Sequence, residues 1–147
     1  MRRLTPIGST VILLLCAFFA HAHSDTVIKE YRGVFMGTDR AQVHEKLGKP
    51  KDESPVEDDF EFSEGESARV FYDNSKKVKA IVITYAGKPD KAPKPRDVIG
   101  EPIEPKPDGG MYKMVRFEEK GFWVSYVRTA GENASVMITV QAIVQPG

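Results

Sequence analysis

Cysteine is almost absent from this chain of 147 residues, in which Cys16 is the only one. Cys16 lies in an N-terminal segment that we expect to be removed, so the mature protein should form no disulfide and depend on its hydrophobic core. Tryptophan occurs once and histidine three times, which leaves few side chains for nucleophilic or metal chemistry. Basic and acidic residues balance at 21 each, and this balance argues against binding to nucleic acid through overall charge.

The first residues have the order of a secretory signal peptide. Arg2 and Arg3 form a basic start, an apolar run follows over residues 11–20, and Ala20-His21-Ala22 offers small residues for cleavage. We predict a signal peptide over residues 1–22 and export to the periplasm, the outer membrane or the medium. The leucines before Cys16 do not favour a lipid anchor there, although this alternative stays open.

No second long apolar run follows the first one, and the first is short for a membrane span. We therefore expect at most a peripheral association with membranes. After the signal peptide we predict an N-terminal extension over residues 23–35 and a single domain over residues 36–147.

A helix–loop–strand–strand pattern occurs twice in the predicted domain. In the first copy Thr38 is a suitable N-cap, Val43 and Leu47 share one helix face, and Gly48 and Pro50 end the helix. The stretch 52–66 holds eight carboxylates and no basic residue, which is typical of a solvated acidic loop. Two strands are predicted after it, over 68–72 and 78–85.

The second copy begins with lysine and proline alternating over residues 88–96, which predicts a linker and a short helix. Strands follow over 111–118, 122–129 and 134–144. The predicted fold is α+β, with a single antiparallel sheet of about four to five strands and short helices on one face. Its two helix–loop–strand–strand repeats span 36–87 and 88–147.

One short motif carries a family resemblance. The pattern Gly37-Thr38, Val43, Leu47-Gly48 and Pro50, followed by a two-stranded meander, resembles the SmpA/OmlA family. That family includes the BamE-type small subunit of the outer-membrane protein assembly machinery. The doubled layout is also similar to that of the β-lactamase-inhibitor protein. These resemblances imply an exported protein that binds other proteins, in outer-membrane assembly in the first case and as an inhibitor in the second.

Catalytic patterns are not evident in the sequence. His44 on the first helix is the one histidine beyond the cleavage region, and its charged neighbours indicate an exposed helix residue. Residues 57–59 could offer carboxylates to Ca²⁺, but the stretch lacks the ordered glycine and alternating ligands of a calcium loop. His21 and His23 could bind a copper ion at a new N-terminus, but they are better explained as part of the signal-peptide cleavage site. We predict no catalytic residue, no cofactor and no metal.

Aromatic side chains are the best candidates for binding. Along the strand at 121–126, Phe122, Val124 and Tyr126 share one face, whereas Trp123 lies on the other. One face should pack on the core with Val43, Leu47 and Ile99, and the other should be open. Aromatic residues on an open sheet commonly dominate binding energy. The residues that we predict to contact a partner are Tyr112, Trp123, Tyr126, Phe60 and Phe62.

These patterns favour a non-enzymatic exported envelope protein that acts as a protein-binding accessory, in outer-membrane protein assembly or envelope maintenance. Its expected partner is another envelope protein or complex, and nucleic acid is not expected. A secreted or periplasmic inhibitor of a hydrolase such as a β-lactamase is the alternative. A carrier of small ligands is a second alternative, since a hydrophobic ligand site leaves little trace in a sequence.

Overall fold

A computed structural model describes residues 28–144 of the chain, and the predicted signal peptide lies outside them. Within residues 28–144, no helix is long and apolar enough to cross a membrane. The two α-helices are α1 (Arg40–Leu47) and α2 (Pro95–Ile99). The first strands are β1 (Glu30–Tyr31), β2 (Val34–Phe35), β3 (Asp52–Glu53) and β4 (Glu57–Ser63). The later strands are β5 (Glu66–Tyr72), β6 (Val78–Tyr85), β7 (Met111–Phe117), β8 (Phe122–Arg128) and β9 (Val136–Ala142).

Seven of these strands form one antiparallel sheet in the order β3-β4-β5-β6-β9-β8-β7, and β1 and β2 form a separate hairpin. The β6–β9 pair joins the two parts of the sheet, with Ile83 opposite Ile138, and has three strands on the β6 side and two on the β9 side. On one side α1 precedes the meander β4-β5-β6, and on the other α2 precedes the meander β7-β8-β9. A helix thus precedes a three-stranded meander in each half of the fold, and the first half adds the two-residue edge strand β3.

The core lies on one face of this sheet, which we call the inner face. Alternation along the strands turns apolar side chains toward it, among them the fully buried Val70, Ile83, Val124 and Ile138. Val43 of α1, Val98 and Ile99 of α2, and Val34 of the hairpin join the same cluster. The helices and the hairpin therefore cover the inner face and leave the opposite side of the sheet, the outer face, to solvent.

The predicted fold class is wrong. Among residues 28–144 the protein is mostly β, with a seven-stranded sheet and a two-stranded hairpin, rather than α+β with a single sheet of four to five strands. The predicted helix–loop–strand–strand repeat is also wrong, since four strands of the main sheet follow α1 and three follow α2. The missing strands lie in the stretch 52–66, which forms β3, β4 and the start of β5 instead of a solvated loop. The many carboxylates of this stretch hid the alternation of inward and outward side chains that marks these strands.

The first helix ends as predicted but does not begin as predicted. Gly48 closes α1 with a positive φ of 87°, and its N–H donates to the His44 carbonyl at 2.9 Å. The N-cap, however, is Asp39, and no side-chain hydrogen bond caps the helix. The hydroxyl of the buried Thr38 instead accepts a hydrogen bond from the Phe35 N–H at 3.2 Å. Thr38 thus joins the hairpin to the start of α1.

Candidate functional site

The outer face carries three rows of side chains that run across six strands. The register places the members of a row opposite one another in the order β7, β8, β9, β6, β5, β4. The first row is Tyr112, Val127, Met137, Thr84, Ser67 and Glu61, and the second is Met114, Ser125, Thr139, Val82, Arg69 and Asp59. The third row is Arg116, Trp123, Gln141, Ala80, Phe71 and Glu57.

Apolar side chains concentrate at the β7 end of these rows. Tyr112 is 62% exposed, Met114 45% and Met137 43%. Trp123 and Val127, on the strand between them, are half-buried by their neighbours. Together Tyr112, Met114, Trp123, Val127 and Met137 form what we call the apolar patch. Large side chains left open in one contiguous group are typical of interaction surfaces.

The charge of the outer face changes across the sheet. Its β4 end carries Glu57, Asp59 and Glu61. Asp59 is paired with Arg69 of the neighbouring strand at 2.7 Å, and Glu61 with Lys51 at 2.6 Å. These pairs are exposed and contribute little to stability. The surface thus runs from an apolar end at β7 to a polar, acidic end at β4.

The structure separates the five predicted partner-binding residues. Tyr112 and Trp123 both lie on the outer face, in different rows, and Trp123 faces away from Tyr126 as the alternation along the strand predicted. Tyr126 and Phe60 are 4% and 2% exposed on the inner face, where the core removes them from the reach of a macromolecular partner. Phe62 also packs against the core, with the Arg32 guanidinium 4.2 Å from its ring centroid. Of the five predicted residues, Tyr112 and Trp123 therefore remain candidates for contact with a partner on the outer face.

A buried polar cluster under α1 was not predicted from the sequence. The Asp58 carboxylate is fully buried on the inner face of β4. It accepts hydrogen bonds from the Tyr72 hydroxyl at 2.6 Å and from Arg40, whose Nε lies 3.0 Å from Oδ2, and His44 Nε2 lies 2.8 Å from the same oxygen. The Arg40 guanidinium also lies 5.0 Å from the Tyr72 ring centroid. The cluster fastens α1 to the sheet.

Opposing effects set the pKa of the Asp58 carboxyl. Burial raises the pKa, but hydrogen bonds from Tyr72, His44 and Arg40, together with the charge of Arg40, outweigh burial and bring the pKa below its ordinary value. Burial and the hydrogen bond to Asp58 raise the pKa of Tyr72. Asp58 is therefore an ionised acceptor at neutral pH, and Tyr72 is a neutral donor.

The same cluster has the outline of a metal site, since one ligand atom each of His44, Glu53 and Asp58 lies within 4.8 Å of the others. Arg40 occupies the space between the two carboxylates: its Nη2 contacts Asp58 Oδ1 and lies 3.4 Å from Glu53 Oε2. A metal ion would have to displace this guanidinium. The arrangement favours an ion-pair network. The alternative of a Ca²⁺ site at 57–59 does not fit the strand, because Asp58 faces inward while Glu57 and Asp59 face outward.

A second polar cluster joins the hairpin to β5. Glu66 accepts hydrogen bonds from the Tyr31 hydroxyl at 2.6 Å and from Arg32 at 2.9 Å. Burial raises the pKa of Glu66, but these two hydrogen bonds outweigh it and lower the pKa below its ordinary value. This cluster holds the hairpin over Phe62 and the inner face.

Comparisons with known proteins give a likeness of fold. No family model matches the chain, and no curated protein matches it. A solved structure of a DUF4309 family protein, YjgB from Bacillus subtilis, is similar with a TM-score of 0.51 and 11% sequence identity, covering 82% of this chain and 89% of that chain. At this identity the likeness concerns the fold alone. The resemblance to the SmpA/OmlA family stays a prediction.

Proposed function

We propose that this chain is an exported, non-enzymatic accessory protein that binds a partner protein of the cell envelope through the outer face of its sheet. The apolar patch is the observation that carries the proposal. It places the exposed Tyr112 and Met137 on either side of Val127, and the exposed Met114 diagonally opposite the half-buried Trp123. Tryptophan, tyrosine and methionine are enriched at the centres of protein interfaces, so the patch has the composition of an interaction surface.

The chemistry expected of the partner surface follows from the apolar patch and from the charge of the outer face. The apolar patch would contact an apolar area of the partner, and the acidic β4 end would favour basic side chains at the opposite end of a partner that spans the sheet. The patch also borders β7, which among residues 28–144 is paired only with β8 and forms an edge of the sheet. Lys113 and Arg116 on this edge strand discourage pairing between copies of the chain. These features support docking on the face rather than extension of the sheet.

Site-specific photo-crosslinking in the cell envelope tests this proposal. A photoreactive amino acid replaces Met114 in the patch or, as the matched control, Val56, which is 56% exposed and belongs to the β3–β4 connection. We expect one defined crosslinked protein with the probe at 114 and none with the probe at 56. Absence of a crosslink at 114, or an equal crosslink at both positions, would contradict the proposal.

The identity of the crosslinked protein distinguishes an accessory role in assembly from a role as an inhibitor. A component of the outer-membrane assembly machinery would support an accessory role in assembly. A single hydrolase whose activity falls on binding would instead support an inhibitor. In either case Trp123→Ala should weaken binding by about tenfold or more, because truncation of a central interface tryptophan commonly costs at least about 2 kcal/mol.

A further inference from the structure

A separate cavity of about 280 Å³ lies beside the lysine- and proline-rich segment. Residues 89–90 and 92–95 form one wall, and Met111, Tyr126 and Arg128 form the other. The cavity opens at the inner face of the β7–β8 pair, on the opposite side of the sheet from the apolar patch. Its size is close to the lower end of the range for small-molecule sites.

Arg128 is the unusual residue in this cavity. The register places it on the inner face, opposite Met111 on one neighbouring strand and the fully buried Val136 on the other. Its Nε is buried and has no hydrogen-bond partner among residues 28–144, and no carboxylate of those residues lies within ion-pair distance of its guanidinium. A buried donor left without an acceptor costs about 1–3 kcal/mol, and more when the group is charged. An anion bound there would remove this cost.

The rest of the lining suits such an anion. Lys94 adds a second positive charge without an ion pair among the described residues, and Asp90 is the one carboxylate in the lining. The Tyr126 hydroxyl lies at the wall, where it donates a long hydrogen bond of 3.3 Å to the Pro93 carbonyl. Proline rings and Met111 supply apolar surface. The lining combines a forked guanidinium, an ammonium group and an apolar wall.

We propose that this cavity binds a small molecule that bears an oxyanion, a carboxylate or a phosphate, on a compact apolar body, with Arg128 as its anchor. The planar guanidinium matches either oxyanion through two parallel N–H donors. The prolines and Met111 contact the apolar body. This site is independent of the outer face, so its test and that of the proposed function can fail separately.

The side-chain Nε–Hε signal of Arg128 in ¹⁵N NMR spectra tests the site directly. The protein is expressed as the full chain, processed during export and titrated with benzoate, inorganic phosphate or the neutral benzyl alcohol, with chloride at matched ionic strength. We expect a saturable shift of this signal with an anion and none with the alcohol. Tighter binding of benzoate would assign a carboxylate on an apolar body, and tighter binding of phosphate a phosphorylated ligand. No saturable shift with either anion would overturn the proposal.

Two arginine variants provide the matched comparison. Arg128→Gln should weaken anion binding by about tenfold or more, which corresponds to the loss of a hydrogen bond to a charged group. Arg116→Gln should leave it unchanged, because Arg116 lies on the outer face and pairs with Glu118. Equal weakening in both variants would show general charge attraction and overturn the site. If Arg128→Gln fails to fold, the titration of the unsubstituted chain still decides the question.

Discussion

The hydroxyl of Tyr72 donates a hydrogen bond of 2.6 Å to the carboxylate of Asp58, and both side chains are buried within the inner face of the sheet. Asp58 lies on β4 and Tyr72 at the end of β5, so the bond joins two adjacent strands. Through Arg40 and His44 the same carboxylate also holds α1. One buried acidic group thus connects three elements of the first half of the chain.

Replacing Tyr72 by phenylalanine tests the strength of this connection. Tyr72→Phe keeps the ring under Arg40 and removes only the hydroxyl, so we expect a loss of about 1.5–3 kcal/mol in the free energy of unfolding, the range for a hydrogen bond to a charged group. Urea denaturation at neutral pH measures this change. As a control, Tyr112→Phe on the exposed outer face should change the stability by less than about 0.5 kcal/mol. Equal effects would show that the Asp58 bond contributes nothing.

Asp58 should also make the stability depend on acid pH. Because its pKa is lower in the folded protein than in the unfolded chain, its contribution is fully present above the unfolded value of about 3.9 and is lost as the pH falls through the lower folded value. Asp58→Asn removes this contribution and leaves Arg40 without its buried counter-charge, so we expect a loss of about 3 kcal/mol at pH 7.

Urea denaturation of both proteins across the acid range checks this expectation. The difference in stability between the unsubstituted chain and Asp58→Asn should narrow below about pH 4, because protonation then removes the charge of Asp58 in the unsubstituted chain as well. A difference that stays constant down to the lowest pH at which the protein folds would mean that Asp58 is not ionised in the native state.

Local patterns predicted three of the long strands well. Alternating β-branched and aromatic residues predicted strands at 78–85, 111–118 and 122–129, and the structure has β6, β7 and β8 there within one residue. The short second helix also forms despite its prolines, since Pro95 occupies its first position, where a missing N–H is tolerated. Strong alternation or clear stop residues made these elements predictable.

The stretch 52–66 shows why the rest was not predictable. Asp58 and Phe60 point inward and the acidic residues that alternate with them point outward, which is the pattern of a strand. The number of carboxylates nevertheless led to the prediction of a solvated loop. What permits a buried Asp58 is its set of partners, and Arg40 and Tyr72 are 18 and 14 residues away in the sequence. The position of Arg128 depends in the same way on long-range packing, since its lack of a counter-charge among residues 28–144 appears only when the strands are paired.

Trp123 and Tyr126 lie on different faces of the sheet. We therefore expect truncation of Tyr126 to reduce mainly the stability and truncation of Trp123 to reduce mainly partner binding. Tyr126→Ala empties a core position that is 4% exposed and should cost about 3–5 kcal/mol. Trp123→Ala removes a half-buried side chain from the outer face and should cost about 1 kcal/mol while it abolishes most partner binding. Thermal unfolding of the two variants side by side gives the order. A larger loss for Trp123→Ala would mean that the outer face is covered in the native protein.

The end of α1 provides a prediction about backbone strain alone. Gly48 has φ 87° and ψ −162°, a combination open almost only to glycine, whereas Gly121 has φ 73° and ψ 24°, a left-handed conformation that asparagine also adopts. A side-chain Cβ meets no atom within 4 Å at either position, so steric contact does not distinguish them. Gly48→Asn should therefore destabilise the protein by about 1–3 kcal/mol, and Gly121→Asn by clearly less. Chemical denaturation of both variants measures the difference, and equal losses would show that the backbone at Gly48 relaxes without strain.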